Sequence, residues 1–195
     1  MNDTLNYYHN NSDSFIKSTV NVDFKKVQDH FLGLLPKNPY ILDFGCGSGR
    51  DTKYFLEQGC IVAATDGSAA ICREASIYTG IEIKQELFQE LDEYELYDGI
   101  WACASILHLK KTELLDVIVK MVCALKSNGI IYTSFKYGEF EGLRNGRYFT
   151  DFTAETFKGY IADISNISIE ECWISQDARP ERGEEKWLNL IIRKS

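Results

Sequence analysis

Apolar residues recur at helical spacing within the first 35 positions of the chain, which predicts an amphipathic helical segment. The clearest apolar stripe consists of Val22, Val27, Phe31, Leu34 and Leu35. Prolines at positions 36 and 39 then end the helical pattern. We therefore expect residues 1–38 to form an N-terminal helical cap.

From position 40 onward, short apolar runs alternate with amphipathic segments, which is typical of an α/β fold. The predicted strands are residues 40–44, 60–65, 81–84, 98–104, 130–135, 167–175 and 186–193. The predicted helices are residues 50–58, 69–78, 110–125 and 153–161. The last two strands are joined by a short loop without a helix, so they must pair antiparallel. We expect a single domain, 1–195, in which residues 39–195 form a Rossmann-like core: a seven-stranded, mostly parallel sheet with a C-terminal antiparallel hairpin and helices on both faces.

A glycine-rich segment follows the first predicted strand and opens a helix, which is the setting of a nucleotide-binding turn. Its glycines are Gly45, Gly47 and Gly49, and Asp43 precedes them in the strand. A dinucleotide-binding turn needs a glycine where Arg50 stands, and a P-loop needs a Gly-Lys-Ser/Thr sequence that is absent. An acidic residue followed by G-x-G-x-G favours a ligand that carries an ammonium group and no phosphate. A plain strand-to-helix turn is the structural alternative.

Asp66 ends the second predicted strand, about twenty residues beyond the glycine turn. A carboxylate at this place accepts hydrogen bonds from both hydroxyls of a ribose. Capping of the next helix is the alternative role of Asp66, and the two roles are compatible.

Several segments of the chain resemble the motifs of a known enzyme superfamily. Three of them resemble the first, second and fourth motifs of class I S-adenosylmethionine-dependent methyltransferases: ILDFGCGSGRDTKYFLEQG, IVAATDGS and YDGIWACASILHL. Three others are similar to the small tellurite-resistance-related (TehB-like) methyltransferases: SNGIIYTSFKYGE, GRYFTDFT and RPERGEEKWLNLIIRK. The resemblance extends over nearly the whole chain. It implies S-adenosylmethionine as the cofactor and methyl transfer to a small-molecule acceptor as the reaction.

The resemblance also implies which residues surround the donor. They are, from the methionine end to the adenine, Asp43, Gly45, Cys46, Gly47, Gly49, Asp66, Gly67, Ser68, Glu86 and Leu87, with Ala102 and Ala104 forming the floor. Asp43 would act on the methionine part directly or through water, and Asp66 on the ribose hydroxyls. Glu86 is the candidate partner of the adenine amino group, and Gln85 is the alternative.

Aromatic and histidine side chains complete the predicted site. The resemblance places an N-terminal aromatic residue over the methionine part of the donor, and Tyr7 or Tyr8 fits this role, with packing inside the cap as the alternative. His108, after the fourth strand, is the candidate catalytic residue for acid–base work or acceptor positioning, and a backbone hydrogen bond is its alternative. A sulfonium donor is already activated, so methyl transfer depends on positioning and needs no catalytic triad.

Two loops expected at the carboxyl edge of the sheet carry four arginines, which are Arg144, Arg147, Arg179 and Arg182. Arginines from separate loops at one cleft favour recognition of an anion. We therefore expect a small acceptor with a carboxylate or oxyanion group. Salt bridges to nearby acidic residues are the alternative.

The composition and motifs of the chain limit which classes of binding partner are expected. The net charge of −8 and the lack of basic runs argue against nucleic acid, and the segment Ala102-Cys103-Ala104-Ser105 lacks the [DNS]-P-P-[YFW] motif of DNA amine methyltransferases, so no DNA target is expected.

The six cysteines form no CxxC pair, so no metal site is expected, and most are interpreted as small buried hydrophobes. A polar N-terminus and the absence of an apolar run of ~20 residues predict a cytoplasmic protein without a membrane segment.

Other functions remain as alternatives to small-molecule methylation. One is a protein that binds the donor without turnover, and another is a methyltransferase acting on RNA or protein. An oxidoreductase is disfavoured by Arg50 in the glycine turn.

Overall fold

A seven-stranded sheet forms the centre of the molecule in the computed structural model, which describes residues 3–179 and 182–195. The helices are α1 Asp3–Asn10, α2 Ser12–Thr19, α3 Lys25–Gly33, α4 Arg50–Glu57, α5 Ala69–Thr79, α6 Lys111–Ala124 and α7 Ala154–Tyr160. The strands are β1 Tyr40–Phe44, β2 Ile61–Asp66, β3 Lys84–Gln85, β4 Tyr97–Ala102, β5 Leu125–Lys136, β6 Glu141–Arg144, β7 Arg147–Thr150, β8 Ile167–Gln176 and β9 Lys186–Lys194. Single 3₁₀ turns lie at Phe88–Glu90 and Ile106–His108.

The strand order of the central sheet is β3-β2-β1-β4-β5-β9-β8. Strands β1 to β5 pair in parallel, and β9 runs antiparallel to both of its neighbours. The predicted α/β fold with a C-terminal antiparallel hairpin is therefore confirmed. Since β8 is antiparallel to β9, it points the same way as β5, and β9 alone is reversed.

The two faces of the sheet are buried by different helices because successive strand residues point to opposite sides. Leu42 faces the cluster that contains the apolar residues of α6 and α7. Its neighbour Ile41 faces the cluster in which Trp101 of β4 meets α3 and α4. There, Phe31 and Phe55 lie with their ring centroids 5.1 and 5.3 Å from that of Trp101, and all three side chains are fully buried.

The N-terminal cap consists of three short helices, α1 to α3, rather than one extended helical segment. Helix α3 contains Val27 and the fully buried Phe31 of the predicted apolar stripe, whereas Val22 precedes the helix and Leu34 and Leu35 follow it. Helix α1 is tied to β7 by a hydrogen bond in which the Tyr148 N–H donates to Thr4 Oγ1 at 2.9 Å. The cap is therefore anchored at two places, one on the back of the sheet and one at its carboxyl edge.

Residues 136–149, predicted as a loop, contain the β6–β7 hairpin, so this prediction was wrong. The turn is formed by Asn145 and Gly146, whose φ angles of 52° and 76° belong to the left-handed region that two-residue hairpin turns use. The dipeptide Asn-Gly was a readable signal for this hairpin.

The expectation of buried cysteines is correct for Cys46, Cys60 and Cys72 and wrong for Cys123 and Cys172, which are exposed. The two exposed thiols stand on solvent-facing positions of α6 and β8.

Replacing Gly99 by alanine tests how closely the cap packs on the sheet. An added Cβ would lie 2.8 Å from Phe31 Cζ and 3.0 Å from Leu35 Cδ1, so these two side chains of the cap would have to shift. We expect the free energy of unfolding to fall by ~1–3 kcal/mol in urea denaturation. The control is Gly159→Ala, because no described atom lies within 4 Å of its added Cβ; we expect it to be neutral or stabilising by up to ~1 kcal/mol. Equal losses in both variants would contradict the packing described here.

Candidate functional site

A cavity of about 240 Å³ opens at the carboxyl ends of the parallel strands. Gly45 follows β1, Asp66 ends β2, and Glu86 and Ala104 follow β3 and β4; all four lie on the cavity wall. Helices α1 and α2, strand β7 and residues 177–179 and 182 cover it from above. Open α/β sheets bind ligands at this edge, where the strand order reverses between β1 and β4 and leaves a crevice.

The glycine turn after β1 is held against β2 by its own backbone. The N–H groups of Gly45 and Cys46 both donate to the Thr65 carbonyl oxygen at 2.9 Å. Gly45 and Gly47 have φ angles of 81° and 54°, which side chains disfavour. A Cβ on Gly45 would also lie 2.6 Å from Ser105 Cβ. The turn therefore presents backbone rather than side chains to the cavity.

Asp66 connects the glycine turn to the segment that follows β2. Its Oδ2 accepts from the Gly47 N–H at 3.1 Å, and its Oδ1 accepts from the Ser68 N–H at 2.9 Å. Burial raises the pKa of Asp66 to about 6, although both hydrogen bonds oppose this shift. The N-cap of α5 is Ser68 itself, whose Oγ accepts from the Ile71 N–H at 3.5 Å. Asp66 is thus free of the capping role and lies on the cavity wall.

Asp43 is buried beneath the glycine turn and is not on the cavity wall. The Thr52 hydroxyl donates to its Oδ2 at 2.5 Å. Burial, together with the nearby charge of Asp51, raises the pKa of this carboxyl group well above its usual range. Its observed contact ties β1 to α4, so Asp43 supports the turn from below.

Glu86 brings an incompletely bonded carboxylate to the cavity. The side chain is buried, and the Lys84 ammonium donates to its Oε1. Among the described residues, Oε2 has no hydrogen-bond partner. Gln85, the sequence alternative, is exposed and absent from the cavity wall. The structure therefore brings Glu86 to the cavity rather than Gln85.

A partly buried ion pair at the start of α4 was missed by sequence reasoning. Arg50 donates to both carboxylate oxygens of Asp51 at 2.8 Å, and both residues lie on the cavity wall. Asp51 also accepts from Gln28 Nε2 at 2.6 Å and from the Trp101 indole at 2.8 Å. These bonds join α3, α4 and β4 beneath the cavity. Side chains so far apart in sequence give no local signal of their contact.

His108 is part of a hydrogen-bond chain between the core and the cap. Its Nδ1 lies 2.7 Å from the Tyr148 carbonyl oxygen, which can only accept, so Nδ1 carries the proton. Its Nε2 then accepts from the Tyr8 hydroxyl at 2.9 Å. Burial lowers the pKa of His108 to about 4, so the ring is neutral near pH 7. These hydrogen bonds hold the Tyr8 side chain on the cavity wall, whereas Tyr7 is not part of that wall.

The four predicted arginines do not converge as one cluster. Arg144 lies off the cavity wall and contacts Asp151 at 2.8 Å. On the wall, Arg179 donates to both oxygens of Asp177 at 2.8 and 2.7 Å. Arg182 is 3.9 Å from Glu185. Salt bridging therefore accounts for these three.

Arg147 is the fourth arginine and also lies on the cavity wall. Its guanidinium faces aromatic rings, with Cζ 4.7 Å from the Tyr7 ring centroid. In the loop that carries Arg179 and Arg182, positions 180 and 181 lie outside the described residues.

The other predicted residues divide between the cavity and the core. Cys46, Gly67, Leu87 and Ala104 lie on the wall. Three others do not: Gly49 faces Thr79 of α5, Ser68 caps α5, and Ala102 is fully buried in the core.

Within the described ranges, no group of three or more His, Cys, Asp and Glu side chains is arranged to hold a metal ion. None of the helices in those ranges is both long enough and apolar enough to span a bilayer.

Residues 41–129 match the family model described as a methyltransferase domain. The matched segment contains the glycine turn, Asp66 and Glu86. No curated protein matches the chain at a significant level.

Solved structures share the fold. The 1,6-didemethyltoxoflavin-N1-methyltransferase of Burkholderia thailandensis, with bound 1,6-didemethyltoxoflavin and S-adenosylhomocysteine, is 21% identical with a TM-score of 0.78, covering 98% of this chain and 85% of that chain. The N-methyltransferase NodS of Bradyrhizobium japonicum, in complex with S-adenosylhomocysteine, is 17% identical with a TM-score of 0.69, covering 95% and 97%.

A Rhodobacter sphaeroides protein named among the Zn-dependent alcohol dehydrogenases also shares the fold, at 12% identity and a TM-score of 0.79, with full coverage of both chains. Likeness at this level of identity establishes the fold, while the reaction has to be argued from the site.

The hydrogen-bond chain through His108 predicts a fixed tautomer. In ¹⁵N NMR spectra, we expect the neutral ring with a protonated Nδ1 throughout pH 5–8, because burial holds the pKa at about 4. Tyr8→Phe removes the donor to Nε2 and should shift that nitrogen without protonating it. Titration of His108 near pH 6.5 would contradict the described hydrogen bonds and burial of this side chain.

Proposed function

We propose that this chain transfers a methyl group from S-adenosylmethionine to a small acceptor. The observation that carries the proposal is the position of Asp66, tied to the glycine turn and facing the cavity. This arrangement lies within the segment that matches a methyltransferase domain. Two proteins with the same fold bind S-adenosylhomocysteine, the demethylated product of that donor, which supports the same assignment here.

The adenosine half of the donor fits the acidic groups on the wall. Each carboxylate oxygen of Asp66 accepts one backbone hydrogen bond and keeps a lone pair for a ribose hydroxyl. Glu86 Oε2 is buried without a partner among the described residues, and the adenine amino group would supply the missing donor. Gly67 and Leu87 lie on the wall beside these two acids.

The methionine half would lie along the glycine turn, where Gly45, Cys46 and Gly47 expose backbone to the cavity. Ala104 would form the floor, and Tyr8 of α1 would cover the ligand. Since Asp43, Gly49, Ser68 and Ala102 lie off the wall, we assign them to support of these elements rather than to direct contact.

When bound, S-adenosylmethionine supplies an electrophilic methyl group: the acceptor lone pair forms the new bond to carbon while the C–S electron pair returns to sulfur, leaving a neutral thioether. The protein contributes by orienting both reactants and excluding water. His108 is poorly suited to act as a general base, because its pKa is about 4 and its Nε2 already accepts from Tyr8. We assign His108 to the positioning of Tyr8.

Other assignments remain separable by experiment. A donor-binding protein without turnover would bind S-adenosylmethionine and show no acceptor-dependent release of product. Methylation of RNA or protein would be detected by transfer of labelled methyl groups to macromolecules. The kinship with tellurite-resistance-related methyltransferases and the single-domain organisation of residues 1–195 stay predictions from the sequence.

A calorimetric titration tests the donor site. We expect S-adenosylhomocysteine and S-adenosylmethionine to bind the wild-type protein, and NAD⁺ not to bind, because the turn carries Arg50 where a dinucleotide site needs glycine. Binding of NAD⁺ without binding of either sulfur nucleoside would overturn the proposal.

The Asp66→Asn variant should bind S-adenosylhomocysteine about 10- to 100-fold more weakly, because an amide accepts through one oxygen only. Asp163→Asn, an exposed residue away from the cavity, makes the same charge change and should bind as the wild type does. Equal affinities for the two variants would show that Asp66 does not contact the ligand.

The wild-type affinity should also depend on pH. Ionised Asp66 accepts from both ribose hydroxyls, and its pKa is about 6 in the unliganded protein. We therefore expect the affinity to be constant above pH 7 and to fall as the pH drops through 6, with a limiting slope of about tenfold per pH unit. An affinity that stays flat from pH 8 to pH 5 would contradict this role.

A further inference from the structure

Positive charge on the cavity wall is paired with carboxylates, with one exception among the described residues. The five cationic side chains on the wall are Arg50, Lys136, Arg147, Arg179 and Arg182. Four of them lie within 4.0 Å of a described carboxylate oxygen. Arg147 has no described carboxylate at that distance.

Aromatic rings surround the guanidinium of Arg147 instead. Its Cζ lies 4.7 Å from the ring centroid of Tyr7, 5.2 Å from that of Phe149 and 6.0 Å from that of Tyr8. Its Nε is enclosed and has no hydrogen-bond partner among the described residues. Ring faces compensate a partly buried cation less well than an anion does. The setting therefore favours a ligand that brings one negative charge to Arg147.

The rest of this part of the wall favours a flat, apolar body for the same ligand. Phe149, whose ring centroid lies 5.2 Å from Arg147 Cζ, lines the cavity from β7, and Trp187 lines it from β9; both strands are separate from the turns that would hold the donor. Ligand pockets of this kind bind aromatic rings by face and edge contacts and orient them with a few polar groups.

Resting on the proposed function, we propose that the methyl acceptor is a small planar aromatic anion whose charged group binds Arg147. Its ring lies against the aromatic side chains of the wall, and its nucleophilic atom is thereby directed toward the donor. Arg147 is the residue that selects an anion over a neutral compound of the same shape.

The β6–β7 hairpin provides a matched control for Arg147. Arg144 is its direct cross-strand partner in the hairpin register, so the two residues share the same local structure. Arg144, however, contacts Asp151 at 2.8 Å and lies off the cavity wall. A change of the same kind at the two positions separates loss of an anion site from damage to the hairpin.

The experiment measures binding of 2-, 3- and 4-hydroxybenzoate and of the three corresponding hydroxybenzamides, at saturating S-adenosylhomocysteine, by calorimetry. Wild type should bind at least one hydroxybenzoate about tenfold or more tightly than its amide. Arg147→Gln should abolish this preference, and Arg144→Gln should keep it. Arg147→Lys retains the charge without the planar fork and should keep part of the preference. Melting temperatures of all variants report whether they fold.

Each other outcome counts against a specific statement. Amides that bind wild type as tightly as the benzoates, or a preference that survives in Arg147→Gln, would overturn the role of Arg147. Failure of every hydroxybenzoate to bind wild type would overturn the acceptor class. Equal loss of benzoate and amide binding in Arg147→Gln would indicate a structural role only. If S-adenosylhomocysteine itself fails to bind wild type, the proposed function falls, and the same titration reveals this separately.

Discussion

The carboxylate of Asp66 holds together the two turns on which the whole site depends. It accepts from the Gly47 N–H after β1 and from the Ser68 N–H after β2, so two neighbouring strands end at one fixed geometry. The backbone bonds from Gly45 and Cys46 to Thr65 add to this tie. Gly45 and Gly47 have no side chains, so the backbone of the turn lies open to the cavity at these two positions. Burial raises the pKa of Asp66, and its two backbone hydrogen bonds fix both turns at the edge of the cavity.

The cover of the cavity is built differently from its floor. Helix α1 is short, and Thr4 is its only buried residue among those described. Its position depends on polar contacts with the β6–β7 hairpin: Thr4 to Tyr148, and Tyr8 to His108, which in turn donates to Tyr148. The same hairpin carries Arg147 toward the cavity. Helix α1, which covers the cavity, and the β6–β7 hairpin, which carries Arg147, therefore form one structural unit. This unit is distinct from the strand ends that would hold the donor.

The fold was predicted well from the sequence because the signals for its helices, strands and turns lie within short segments of the chain. Apolar runs, the glycine turn and the helix-ending prolines each act within about ten residues, and their order along the chain determines the sheet. The Asn145-Gly146 dipeptide is an equally local signal for the β6–β7 hairpin.

The site was predicted less completely because its contacts join distant segments. Nothing near Asp51 in the sequence indicates Gln28 or Trp101, and nothing near His108 indicates Tyr8. The arginines illustrate the same limit: their spacing indicated a shared cleft, but only the three-dimensional pairing separates Arg147 from Arg144, Arg179 and Arg182. Asp43 is the converse case, a motif residue whose side chain lies beneath the turn rather than at the cavity.

The most direct test of this account is a crystal structure of the protein with S-adenosylhomocysteine. The account predicts ribose hydroxyls on the two oxygens of Asp66 and the adenine amino group at Glu86, with the amino-acid end along Gly45 and Gly47. A nucleoside bound elsewhere, or bound in the cavity with both acids turned away from it, would contradict the account.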